Sequence, residues 1–155
     1  METWFLVGHV VAVAGWLPLL LASPARAQQA VRVARAVAVL LCLAYVAGLA
    51  LNLGSVPRGG GFTLQSVGRA FAVDELRLVF WIHYLAFDLW VGCWEVEDAA
   101  KRAVPRWALL TALLLTFMVG PVGLVAYLGL RAATGRGAAA MNAHAERDCS
   151  ATSKR

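Results

Sequence analysis

The sequence predicts an all-α integral membrane protein, a four-helix bundle with short loops and a disordered C-terminal tail. Three observations predict it. Of 155 residues, 61% are hydrophobic and 15% charged, whereas soluble domains run to about 45–50% apolar and about 25% charged. The apolar residues gather in four stretches, 4–22, 36–53, 76–94 and 107–130. Each is close to the ~20 residues that a helix needs to cross a hydrocarbon core about 30 Å thick. No stretch alternates polar and apolar residues with the period of two that a membrane strand requires. The same low charge excludes an intrinsically disordered chain. One transmembrane domain is expected over 1–131, followed by a tail at 132–155 rich in Ala, Gly, Ser and Thr.

The first stretch, 4–22, carries no formal charge, and its Gly8, Ala12, Gly15 and Pro18 suit a packed transmembrane helix. Ala25-Arg26-Ala27 before Gln28 resembles a signal-peptidase site. However, the N-terminus Met1-Glu2-Thr3 lacks positive charge, and the apolar run exceeds the ~7–15 residues of a signal peptide's core. The second stretch, 36–53, is also uncharged and follows a basic connection with Arg26, Arg32 and Arg35. Residues 55–73 contain Pro57-Arg58-Gly59-Gly60-Gly61-Phe62. They lack the ending of a phosphate-binding loop and read as a flexible interfacial connection. The fourth stretch holds Thr111, Thr116 and Gly120-Pro121. Pro121 cannot donate to the carbonyl of Phe117, so a kink is expected there.

Charge says little about orientation. Basic residues lie in similar numbers on the two sides of an even-helix topology, with a lean towards both termini outside. The net charge of +5 suits anionic lipid headgroups. It does not suggest nucleic acid, because the basic residues are scattered over several loops. The three cysteines form no CxxC pair, which argues against a disulfide scaffold or a zinc site.

The third stretch carries the chemistry. At ~100° per residue, Arg77, Trp81, Tyr84, Asp88 and Glu95 fall near one line on a helix. Tyr84 and Asp88, four apart, are neighbours, whereas His83 faces another way. An Asp at the middle of a spanning helix costs ~2.5–3.5 kcal/mol on insertion scales. Asp88 should therefore point into the bundle, hydrogen-bonded or neutral, where it is a usable proton donor. The structural alternative ties it to Asn52, Tyr45 or His9. His83 and His9 read equally well as satisfied interior residues, Arg77 as a snorkelling end residue, and Trp81, Trp90, Trp94 and Trp107 as belt aromatics. His83, Asp88, Glu95 and Asp98 offer one nitrogen and three carboxylate ligands, but His83 and Asp88 do not share a face, so no metal is assigned. No cofactor is indicated.

His83-Tyr84-Leu85-Ala86-Phe87-Asp88-Leu89, Val91-Gly92 with Trp94, Asp98-Ala99, Leu115-Thr116-Phe117 and Gly120-Pro121 with Gly123-Leu124 and Tyr127 together resemble the abscisic-acid-deficient-four-like membrane proteins. Gly15-Trp16 and Gly60-Gly61-Phe62 fit the same pattern, so the resemblance covers roughly 1–131. His9 departs from it, at a position where the family suggests asparagine. Plant members are tied to neoxanthin synthesis. The Ala-, Val- and Arg-rich chain reads instead as bacterial, a multi-pass protein of the inner membrane.

The resemblance implies carotenoid or isoprenoid chemistry. Opening an epoxide to an allene needs an acid at oxygen and a base for a polyene proton, without net redox change. The candidate catalytic residues are Asp88, His83, Tyr84 and Glu95. Three functions are open. The first is a carotenoid-modifying isomerase. The second is a non-catalytic carotenoid- or lipid-binding accessory protein working with pathway enzymes. The third is a small transporter with Asp88 as proton site, which the four helices and the missing inverted repeat disfavour.

Overall fold

A computed structural model describes residues 1–56 and 63–134. The described residues are helical throughout, apart from short turns and connections. They fall into two units, Met1–Cys93 and Trp94 onward.

In the first unit, α1 (Glu2–Leu21) buries Gly8, Ala12, Gly15, Trp16 and Leu19. This stripe recurs every three or four residues and so lies on one helix face. Pro18 does not stop the helix, because it removes only one bond in the last turn. A 3-10 turn at Pro24–Arg26 leads directly into α2 (Ala27–Leu51). This helix starts nine residues before the expected apolar stretch. Hydropathy alone misses 27–35, where Arg32 and Arg35 interrupt the apolar run but Ala30, Val31 and Ala34 keep the buried stripe that continues through Ala38 and Leu41.

Small residues let the helices approach closely. A methyl group added at Gly15 would sit 2.5 Å from Leu89 and 3.0 Å from Val37. One added at Gly92 would meet the Trp16 ring at 2.7 Å. The outer faces stay apolar, with Trp4 67%, Leu21 74% and Leu43 62% exposed. An apolar exterior of this extent is foreign to a soluble monomer.

The connection expected to be flexible contains a helix, α3 (Leu64–Ala72), capped by Thr63, whose hydroxyl oxygen accepts from the Ser66 N–H at 3.2 Å. The glycine run at 59–61 lies outside the described residues, as does the tail from 135. Residues 132–134, assigned to the tail from sequence, are still helical. The long helix α4 (Asp74–Arg102) begins with Asp74 and Glu75 and ends with Lys101 and Arg102, each sign matching the helix dipole. It runs eight residues past the expected stretch.

In the second unit, the end of α4 is followed by α5 (Arg106–Val119) and by α6, residues 121–134. Ala99, Ala112 and Tyr127 form its buried core. The fourth apolar stretch is thus two helices, not one kinked span. Pro121 disfavours helical backbone in the residue before it. Gly120 takes φ 52° and ψ −106°, open to glycine, and the helix breaks there. Among the described residues, three helices are long and apolar enough to cross a membrane: Glu2–Leu21, Pro24–Leu51 with its leading turn, and Asp74–Arg102. The fourth expected stretch, 107–130, is divided at Gly120 into α5 and α6.

Candidate functional site

The polar face of α4 in the first unit is built on aromatic stacking. Trp81 stacks on Tyr84 at 5.5 Å and on His9 of α1 at 5.4 Å. Phe5 packs on both His9 and Trp81. The indole N–H of Trp81 donates to His9 Nε2 at 3.2 Å, and His9 Nδ1 lies 2.9 Å from the Phe5 carbonyl. Indole nitrogen can only donate and a carbonyl can only accept, so His9 is the neutral tautomer with its proton on Nδ1. Both of its nitrogens are used, which makes it a brace and not a proton shuttle.

One turn along α4, the Tyr84 hydroxyl donates to the Asp88 carboxyl, and both side chains are half-buried. The i, i+4 spacing of the sequence produces this pair. The alternative partners of Asp88 are engaged elsewhere. The Asn52 amide donates to the Gly48 carbonyl at 2.8 Å, and Tyr45 packs against His83 at 5.0 Å. His83 is exposed and also stacks on Phe87 at 4.5 Å. It is not brought to Asp88.

Two cavities lie in this unit. An apolar groove of about 560 Å³ runs between α1, α2 and α4, walled by residues such as Val7, Val11, Leu41, Ala44, Val79 and Ile82, with Asn52 and Glu75 as polar members. A second cavity, about 390 Å³, is lined by Glu2, Phe5, Asp74, Arg77 and Trp81 and shares Met1 and Leu78 with the groove. A line of contact therefore leads from a cavity wall at Trp81 through Tyr84 to Asp88.

Glu95, the fourth candidate, belongs to the second unit. It is fully buried, and its Oε1 accepts from the Thr116 hydroxyl at 2.9 Å. Beside it in sequence, Asp98 accepts from Tyr127 at 2.8 Å, Arg102 at 3.0 Å and Arg131 at 3.0 Å. From sequence, Asp98 reads as a possible metal ligand and as part of the family pattern. Arg102 is one helical turn away, but Tyr127 and Arg131 lie about thirty residues on, with nothing in the local pattern to reveal them. Among the described residues, no group of three or more His, Cys, Asp or Glu side chains could hold a metal ion.

The family model described as ABA DEFICIENT 4-like matches residues 3–127 of the chain. No curated protein and no solved structure matches it.

Proposed function

Given that this chain belongs to the ABA DEFICIENT 4-like family and is membrane-associated, we propose that it is a multi-pass protein of a bacterial inner membrane. In this reading it takes a carotenoid or other isoprenoid into the first unit and isomerises it by acid–base chemistry. One observation carries the reading. Asp88, midway along a long apolar helix, is half-buried, is hydrogen-bonded by Tyr84, and connects through Trp81 to a cavity. A carboxyl placed so deep among apolar residues is a functional feature by default.

Asp88 as an acid gives its proton to an oxygen of the substrate as a carbon–oxygen bond opens. A carbon-bound proton then leaves to restore the carboxyl, so no oxidant or reductant is consumed. Tyr84 orients the carboxyl and, through Trp81, abuts the bound ligand. His83 and Glu95 take no part in this step.

The apolar groove favours a second reading, a non-catalytic pigment-binding or accessory protein beside pathway enzymes. Its lining offers an elongated apolar ligand almost no chemistry. The test is chromatography of pigments from a carotenoid-accumulating host expressing the chain, beside an Asp88→Asn control. A new pigment that disappears in the control supports the isomerase. Bound but unchanged pigment, with normal protein levels in the membrane, overturns it in favour of the binding role.

A further inference from the structure

The second unit contains a buried acid that the proposed chemistry does not use. Glu95 is 0% exposed. The Thr116 hydroxyl donates to its Oε1, and its Oε2 has no hydrogen-bond partner among the described residues. Asp98, Arg102, Arg131 and Tyr127 on the neighbouring turns and helix are engaged with one another. On α4, Asp98 pairs with Arg102, and on α6, Arg131 pairs with Asp98 while the Tyr127 hydroxyl donates to it. No cation among the described residues pairs with Glu95. An ionised carboxylate enclosed without a counter-charge is strongly disfavoured. A carboxylic acid needs no counter-charge: Oε1 as its carbonyl oxygen accepts the Thr116 bond, and Oε2 carries the proton.

The setting of Thr116 is also unusual. Its carbonyl accepts from the Gly120 N–H at 2.9 Å where α5 stops. Gly123, beyond the break, lies so close that a Cβ there would collide with the Thr116 backbone and hydroxyl. The hydroxyl that holds Glu95 is thus fixed by an interrupted helix. Broken helices with a buried polar group beside the break are where membrane proteins accommodate small cations.

We propose that Glu95, held by Thr116 at the Gly120 break, is a proton-binding site of the second unit. The site is independent of the Asp88–Tyr84 reading, since it uses different residues and requires no isoprenoid.

The test is infrared spectroscopy of the purified full-length chain in lipid nanodiscs at neutral pH. The wild type should show a protonated-carboxyl carbonyl band that shifts down in D2O and is lost in Glu95→Gln. Thr116→Val keeps the acid but removes the bond to its carbonyl oxygen, so the band should move to higher frequency. That shift assigns the band even if Glu95→Gln does not fold. An Asp88→Asn chain should retain the band. Carboxylate bands in place of the carbonyl band, lost in Glu95→Gln, would overturn the proposal. So would disappearance of the carbonyl band on adding sodium chloride but not potassium chloride, which would make the occupant sodium.

Discussion

Each unit sets a carboxyl against a hydroxyl, Asp88 with Tyr84 in the first and Glu95 with Thr116 in the second, yet their surroundings are opposite. The first pair is half-buried and reaches a cavity through Trp81. The second is sealed, with one carboxyl oxygen lacking a partner. Access separates the two roles. A group that acts on a large ligand must be reachable, whereas a group that holds a proton need only be enclosed and held still. On the proposed readings, the same carboxyl–hydroxyl pairing serves substrate chemistry in one unit and proton binding in the other.

The largest expected effect tests that separation directly. Asp88→Asn should lower pigment conversion in membranes by about 10²–10⁴-fold, the range for losing a general acid. Tyr84→Phe should lower it less, and Glu95→Gln should leave it unchanged. Conversion is read by chromatography, normalised to protein in the membrane. Equal losses from Asp88→Asn and Glu95→Gln would mean that the chemistry is not confined to the first unit.

A second difference lies in how close approach is achieved. At Gly92 an added methyl would meet only side-chain atoms, the far edge of the Trp16 ring at 2.7 Å and the end of Leu19 at 3.4 Å. At Gly123 it would meet backbone. Gly123→Ala should therefore destabilise by about 3 kcal/mol and Gly92→Ala by about 1 kcal/mol, within the span for overpacking. Thermal unfolding in detergent measures both. Gly123→Ala should also shift the Glu95 infrared band by displacing Thr116, which Gly92→Ala should not do.

Much of the first unit was legible because its signals are local. The four-residue spacing of Tyr84 and Asp88 joins them on any helix, and their partnership follows from the period alone. His9 was visible as a polar residue in an apolar segment, but its role as a brace needed the position of Trp81, 72 residues away. In the second unit the signals are distant. Thr116 stands 21 residues from Glu95 on another helix, and Tyr127 and Arg131 belong to a helix beyond a break. Gly120-Pro121 announced a disturbance, but whether the chain would bend or stop depended on the backbone angles that Gly120 adopts. In α3 the apolar residues Leu64, Val67 and Phe71 do recur at helical spacing, but a nine-residue segment beside a glycine run with no buried side chain reads as a connection.

Ion pairs give the next contrast. Asp98 is mostly enclosed and joins three donors, including the hydroxyl of Tyr127, which is fully buried. Asp98→Asn keeps one acceptor but removes the charge, and should cost about 1–2 kcal/mol in thermal unfolding. Asp74 pairs with Arg77 in the first unit, where both are exposed. Asp74→Asn should give no measurable change, as exposed pairs generally do. Equal losses would show that the outer end of α4 is more enclosed than its exposure suggests.

The smallest effect is expected at His83. A histidine near the proposed acid in sequence invites a catalytic role, but its ring stacks on Phe87, packs against Tyr45 and remains exposed. Helix geometry explains why. One residue before Tyr84, it is rotated by ~100° from the face that carries Asp88. His83→Ala should therefore leave pigment conversion at the wild-type rate and lower stability by no more than about 0.5–1 kcal/mol, the loss of a ring contact. A deep fall in conversion with unchanged membrane levels would place the base on a second face of α4. The first unit would then work through two separated groups, and the contrast with the sealed second unit would rest on Asp88, Tyr84 and His83 together.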